Sequence, residues 1–291
     1  MNARELIHEG QRTLEAAGVD EARLNAEHLL AFTVEMPRAR LHLSRELEPS
    51  PAQAARFREF IATRARRVPL QYILGTVEFH GREFRCDRRA LIPRPETEHL
   101  AELILEKPIP AGGRILDMGC GSGVLGLTLA AETTGTRVTL ADLSPEALEL
   151  ARENARRLGL EDRVEFVETD LFSRLEGRFL IVMANLPYVT MKDMKHLDSE
   201  VLQEPVMALD GGENGLETVF RFLAAAGNHF AAGGRLALEL GAGQSAAAME
   251  GLRKHGYRAI GAEKDRAGIE RFVFCQAPNH QSGSHHGKAF S

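Results

Sequence analysis

Two short runs of this chain carry side chains whose types and spacing can do chemistry. The first is Asp117, Gly119, Cys120, Gly121, Ser122 and Gly123, an acid followed by closely spaced glycines. Glycines let a backbone turn tightly and approach a ligand without Cβ contacts, and here they open into a helix N-terminus. The second is Asn185-Leu186-Pro187-Tyr188, an amide and a phenol straight after the apolar run FLIVMA. An amide or aromatic amino nitrogen is a poor nucleophile because its lone pair is delocalised. Two acceptors on its two N–H bonds would aim that lone pair at an electrophile and relieve charge as it builds. The Asn185 side-chain carbonyl supplies one acceptor, and the Leu186 backbone carbonyl the other. Pro187 biases Leu186 toward an extended conformation, which holds that carbonyl in place. Tyr188 can lay its ring on a planar acceptor. On this reading Asn185 and Tyr188 are the catalytic pair, while Asn185, Leu186, Pro187 and Tyr188 together bind the acceptor. No strong general base is needed, because the proton becomes acidic once nitrogen is alkylated. Taken alone, a strand ending in an Asn-capped turn fits these four residues nearly as well. What favours the chemical reading is the donor site one strand earlier.

That donor site has two competing explanations. Gly121-Ser122-Gly123-Val124-Leu125-Gly126 formally matches the dinucleotide fingerprint GxGxxG, which by itself is weak support for NAD. Against NAD, the strand before the glycines ends in an acid, Asp117, which suits a cationic aminosulfonium better than an anionic pyrophosphate. The following strand ends at Asp142, where a carboxylate can accept both ribose hydroxyls, although NAD sites use the same device. Thr169-Asp170-Leu171-Phe172 ends the third strand, offering Asp170 to an adenine amino group and Leu171 as an apolar wall; a helix cap is the bland alternative for Asp170. The balance favours S-adenosylmethionine. Its candidate contacts are Asp117, Gly119, Cys120, Gly121, Ser122, Gly123, Asp142, Asp170 and Leu171, with Asn185 touching both ligands. Cys120 reads as packing rather than chemistry. Phe172 joins Tyr188 as one of the few rings available to shape such a site.

The elements that must position these residues follow from periodicity. Glu21–Glu35 reads as a helix closed by Met36-Pro37, and Pro51 opens another with Phe57, Phe60 and Ile61 on one face. Arg56, Arg58, Arg64, Arg66 and Arg67 on its other faces read as a solvated surface. Gln71–Cys86 is β-like, with His80-Gly81 at a hairpin turn. LIPRPETE (91–98) is a proline-stiffened loop into a helix capped near Thr97. From Arg114 strands alternate with helices: 114–119, 137–142, 164–170, 179–187, 235–241, 257–263 and 270–276. A helix at 144–159 has Ser144 as N-cap and Gly159 beyond its end. Alternation argues for an α/β fold with a parallel sheet covered on both faces. The last link is too short for a parallel crossover, so the final strand should be antiparallel. The expectation is a Rossmann-like seven-stranded sheet behind a small all-helical domain. Its divisions are a helical docking domain at 1–75, a β-hairpin linker at 76–96, a catalytic domain at 97–277 and a disordered tail at 278–291.

Composition excludes several classes. The 291 residues give ample core, and 44% hydrophobic with 26% charged residues is ordinary globular composition. No apolar run approaches the length of a membrane span, and the charged start has no signal-peptide character. Three cysteines without CxxC spacing argue against a disulfide framework or a zinc site, so no metal is expected and a reducing cytoplasm fits. A net charge of −5 disfavours a globally basic nucleic-acid binder.

The quoted motifs also resemble those of a known family over most of the chain. ARLNAEHLL (22–30), PLQYILGTVEFHGREF (69–84), LIPRPETE (91–98), ILDMGCGSG (115–123), ADLS (141–144), TDLF (169–172), NLPY (185–188) and EPVMALDGGENGLE (204–217) are similar to the HemK/PrmC family of protein-(glutamine-N5) methyltransferases. The typical acceptor motif of that family is Asn-Pro-Pro-Tyr, and here Leu186 stands at the first proline. That position contributes a backbone carbonyl and Pro187 remains, so its role is expected to survive. The resemblance implies S-adenosylmethionine as methyl donor. It also implies that the glutamine of the Gly-Gly-Gln loop in class-1 peptide-chain release factors is the acceptor, with the helical domain helping to bind that protein. LIPRPETE implies a release factor rather than a ribosomal protein. A DNA amino-methyltransferase is the other alternative, since related Pro-Pro-Tyr motifs serve adenine and cytosine. The −5 charge and the lack of a base-reading domain count against it, and a monomer acting on protein, with neither DNA nor membrane as partner, is the expectation.

Overall fold

The computed structural model describes residues 1–43 and 47–278, so the expected tail, its paired histidines included, lies outside the described residues apart from Pro278. Two compact units divide the chain: Met1–Ile92 with His196–Val206, and Pro93–Lys195 with the chain from Met207 onward.

The first unit is built from α1 (Ala3–Ala16), α2 (Ala22–Thr33), α3 (Arg38–Leu43), α4 (Pro51–Ala65) and α5 (Leu70–Leu74), followed by the hairpin β1 (Thr76–Phe79) and β2 (Arg82–Arg85). Capping boxes start α1 at Asn2/Glu5 and α4 at Ser50/Gln53, each satisfying backbone N–H groups that a helix leaves open. Leu6, Leu14, Leu29, Leu30, Phe57 and Ile61 meet in its core. The expected hairpin turn is there, with His80 and Gly81 both at positive φ as a two-residue turn requires. Residues 71–74, read as β-like, instead lie in the one helical turn Leu70–Leu74 between Pro69 and Gly75. Five residues are too few for periodicity to separate helix from strand. The arginine cluster on α4 is not uniformly solvated either. Arg64 is buried, bonded through Nε to Asn25 at 2.8 Å and paired with Glu200 at 2.8 Å. Glu200 also holds Arg67 at 3.1 Å, and buried Glu204 accepts the Ile92 N–H at 2.8 Å. These bonds tie segment 196–206 into the first unit.

The second unit opens with α6 (Pro95–Leu105). Its sheet contains β3 (Arg114–Met118), β4 (Arg137–Asp142), β5 (Val164–Glu168), β6 (Phe179–Asn185), β7 (Phe230–Glu239), β8 (Arg258–Lys264) and β9 (Glu270–Gln276). The order is β5-β4-β3-β6-β7-β9-β8. The first five of these pair in parallel, and β9 runs antiparallel to both neighbours. Helices α7 (Val124–Glu132), α8 (Pro145–Leu158), α9 (Glu217–Ala226) and α10 (Ser245–Lys254) complete the unit. This is the seven-stranded Rossmann-like fold expected. Ser144 caps α8 through its side chain and Gly159 closes it in the left-handed region, as the sequence indicates. Strand β7 begins five residues earlier than its apolar pattern predicts, because Phe230 pairs with Phe179 across a register shift. Thr97 is not a cap. Arg94 takes that position with Pro95 in the first turn, and Thr97 is buried within the helix.

Candidate active site

Chain order runs outward from β3 through β4 to β5, then returns to the other side of β3 with β6 and β7. The strand order therefore reverses between β3 and β6, and doubly wound sheets bind ligands beyond the carboxyl ends of the strands at such a point. Asp117 lies near the carboxyl end of β3 and the glycine loop follows it, while Asn185 ends β6. The two candidate motifs thus flank the switch point. They also touch, since a Cβ built on Gly119 would lie 3.1 Å from the Leu186 side chain.

On the donor side, Gly119, Gly121 and Gly123 all take positive φ, which explains why three glycines are needed so close together. Asp117 is buried, and its Oδ2 accepts the Gly126 N–H at 2.8 Å, at the start of α7. Burial, with the nearby Asp142 charge, pushes its carboxyl up to about 7 against the single backbone N–H that favours ionisation. A Cβ on Gly126 would run into the Leu140 side chain of β4 and lie 2.9 Å from Asp117 Oδ2, so the last glycine of the fingerprint lets α7 pack closely on the sheet. Asp142 accepts from the Gly121 N–H at 2.8 Å and from the Ser144 N–H at 2.9 Å. With the Leu143 N–H also bonding it, its carboxylate still has lone-pair capacity left for another donor. Burial raises its pKa as well. Two carboxyls at neighbouring strand ends, each costly to ionise, form a site that a cation would neutralise.

Cys120 is buried, and burial with two neighbouring acids pushes its thiol well above the ordinary range, so it is not a nucleophile. Ser122 is buried, and its carbonyl holds Asn154 of α8 at 2.9 Å. Asp170 is exposed, with one oxygen on Arg221 at 2.7 Å. The turn after β5 is organised by Thr169, whose Oγ1 accepts the Arg174 N–H at 3.1 Å. Leu171 is half-buried at φ 49° beside the main core. Phe172 is not available to a ligand: it is stacked on His229, with centroids 4.6 Å apart, and packed against Phe222.

On the acceptor side, Leu186 is buried in the core of the sheet unit, so its side chain has an apolar role that leaves the backbone as its polar contribution. Gln244 Nε2 donates to the Tyr188 carbonyl at 2.9 Å, and Gln244 Oε1 accepts the Gly241 N–H at 2.9 Å. A Cβ on Gly211 would come 2.7 Å from Tyr188 Cα, so the Gly-Gly turn after Asp210 lies directly against the acceptor motif. Burial raises the Tyr188 phenol to about 12, which keeps it protonated and excludes it as a base near neutral pH. Asn185 Nδ2 donates to Thr97 Oγ1 at 3.0 Å, and Thr97 in turn donates to Glu239 Oε2 at 2.7 Å. Glu239 is buried beside Asn185 across the β6–β7 register, and burial lifts its carboxyl to about 7.

Comparison with known proteins shows the family. The family model described as PrmC N-terminal domain matches residues 5–75, and that described as Methyltransferase small domain matches residues 96–212. A release factor glutamine methyltransferase of Moorella thermoacetica is 40% identical over 274 residues, covering 93% of this chain and 97% of that protein. One of Deinococcus radiodurans is 40% identical over 279 residues, covering 94% and 98%. The chain belongs to the HemK/PrmC family of glutamine methyltransferases. As a member of that family it is a methyltransferase. The solved methyltransferase of Pyrococcus furiosus superposes with a TM-score of 0.53 at 20% identity, covering 69% of this chain and 91% of that one. The hMettl16 catalytic domain, solved with an RNA hairpin, gives a TM-score of 0.57 at 17% identity, covering 76% and 83%. These two likenesses establish the methyltransferase fold. Among the described residues no helix is long and apolar enough to cross a membrane.

Sequence reasoning singled out neither Thr97, Glu239, Gln244 nor Gly126 as a site residue. Two of them left a readable signal. Gly126 completes the GxGxxG match, and Glu239 is an acid directly after the apolar run Leu236–Leu238, the same depth at which Asn185 sits in β6.

Proposed function

We propose that this chain transfers a methyl group from S-adenosylmethionine to the side-chain nitrogen N5 of the glutamine in the Gly-Gly-Gln motif of class-1 release factors. The observation that carries the reading is the Asn185 amide at the end of β6, with its N–H₂ group engaged by Thr97 and its neighbour Leu186 against the glycine loop. The names of relatives 40% identical over nearly their whole length point to the same substrate.

S-adenosylmethionine supplies, when bound, an electrophilic methyl on a cationic sulfur. The residues present fit such a group: the loop carries three glycines at positive φ, and two buried carboxyls, Asp117 and Asp142, lie beside it. Asp142 would accept the ribose hydroxyls with its remaining lone pairs, and Asp117 would place negative charge near the cation. Gly119, Cys120, Gly121, Ser122 and Gly123 would offer backbone to the donor. Leu171 would cover the adenine face, and Asp170 would receive its amino group beside Arg221. Asn185 Oδ1 and the Leu186 carbonyl would each accept one N–H of the glutamine amide, turning its lone pair toward the methyl. Tyr188 would pack on the planar amide without taking a proton, which leaves to solvent after nitrogen is alkylated. Residues 1–75 would dock the protein substrate, with the enzyme acting as a monomer and without DNA.

The test is tandem mass spectrometry of a release factor after incubation with the enzyme and donor. A single added methyl on the Gly-Gly-Gln glutamine is the expected result. Methylation elsewhere on the factor, or none, would overturn the assignment.

A further inference from the structure

Which way the Asn185 amide faces decides whether it can act as an acceptor, because its carbonyl and amino ends have opposite hydrogen-bonding roles. Thr97 and Glu239 determine that choice. The Thr97 hydroxyl has one proton, and with Glu239 ionised the 2.7 Å bond to its carboxylate uses it. Toward Asn185, 3.0 Å away, the same oxygen can then only accept. Reversing the amide would set its carbonyl against the Thr97 oxygen, with a carboxylate behind it, and lose a hydrogen bond in a buried place. Nothing in ordinary strand geometry requires this arrangement. Thr97 reaches it from the first turn of α6, and Glu239 from the adjacent strand.

We infer that Thr97 and Glu239 are positioning residues that lock the Asn185 side chain with its N–H₂ group inward and its Oδ1 toward the methyl acceptor. The lock is a polarity relay of carboxylate, hydroxyl and amide, and the Glu239 carboxylate also faces the Asn185 N–H₂ group directly, which favours the same orientation. It rests on the proposed role of Asn185 as an acceptor for the substrate N–H. It goes beyond that role in naming the groups that hold Asn185 ready before substrate arrives.

Three variants test it. Thr97→Val keeps the shape of the side chain and removes the relay proton. Thr97→Ser keeps the hydroxyl. Glu239→Gln replaces a group that, once ionised, can only accept with one that can face Thr97 with either end. With release factor as substrate, Thr97→Val should lose about 10- to 100-fold in kcat, the size of one charge-assisted hydrogen bond, with little change in KM or in donor affinity. Thr97→Ser should restore kcat to within about threefold, and Glu239→Gln should fall between them. A Thr97→Val enzyme with the wild-type kcat, or a Thr97→Ser enzyme as impaired as Thr97→Val, would overturn the relay. A second readout needs no substrate. The Asn185 side-chain N–H₂ signal in ¹⁵N–¹H spectra, identified by its loss in Asn185→Asp, should exchange slowly with water in wild type and Thr97→Ser and faster in Thr97→Val and Glu239→Gln. Equal exchange in all four proteins would overturn the relay whatever the methyl acceptor is. Absence of methylation by the wild-type enzyme, with exchange as expected, would overturn the proposed substrate and leave the relay standing.

Discussion

Replacing Asp117 by Asn should make the protein more stable in alkali and worse at binding its donor. The side chain is buried against the start of α7, its carboxyl is pushed up to about 7 from an ordinary aspartate's 3.8, and it accepts a hydrogen bond from the Gly126 N–H at 2.8 Å. An Asn Oδ1 can accept the same bond. The folded protein therefore holds the Asp117 proton at pH values where the unfolded chain has already released it. Stability from this group falls as pH rises from about 4 to about 7 and is level above that range. At 1.36 kcal/mol per pH unit, ionising Asp117 in place costs on the order of 4 kcal/mol above pH 8. The stability advantage of Asp117→Asn should accordingly widen by on the order of 3 kcal/mol between pH 5 and pH 8. Urea unfolding of both proteins at the two pH values measures this directly. In calorimetry at pH 8, the same variant should bind S-adenosylmethionine more weakly, because the charge that destabilises the free protein is the one a cation would neutralise. An advantage that does not change with pH would refute the burial argument. An unchanged donor affinity would remove Asp117 from the donor site.

Three further outcomes follow from the site. Asn185→Ala should abolish turnover while donor binding, followed by calorimetry, stays largely intact; equal loss of both would assign Asn185 to the cofactor or the fold. Asp142→Ala should weaken donor affinity by about 10- to 100-fold through loss of charge-assisted bonds to the ribose and of the Gly121 anchor, and an unchanged affinity would cancel the ribose assignment. With donor saturating, kcat should rise with pH through about 7 as Glu239 ionises, in the field of Glu96 and Arg271 and beside Tyr188, Thr97 and Asn185. In Glu239→Gln that limb should vanish from the pH–rate profile, and its persistence would assign it to another group.

The sheet unit was legible because its signals are local. Apolar runs marked β3 and β6, Ser144 and Gly159 bracketed α8, and the short link before β9 forced an antiparallel strand. The glycine loop and Asn185-Leu186-Pro187-Tyr188 were legible for the same reason: each is a contiguous motif at a strand end. The relay was not, because Thr97 and Glu239 lie 142 positions apart and meet only when α6 packs near the ends of β6 and β7. Thr97 also resembled a helix cap, and only the position of Arg94 in three dimensions removed that reading. Phe172 misled in the opposite direction. A ring beside the third strand looked available to a ligand, but α9 and the turn after it supply Phe222 and His229 to cover it. Segment 196–206 shows the same limit, since no periodicity announces that Glu200 and Glu204 bond to Arg64 and Ile92 far upstream.

The most direct test of the central claim is transfer of a radiolabelled methyl group from S-adenosylmethionine, with purified release factor, its Gly-Gly-Gln glutamine replaced by alanine, ribosomal protein and DNA offered in separate reactions. Label on the intact release factor alone, lost with its glutamine, is the predicted result. Label on DNA or ribosomal protein with none on the release factor would contradict it.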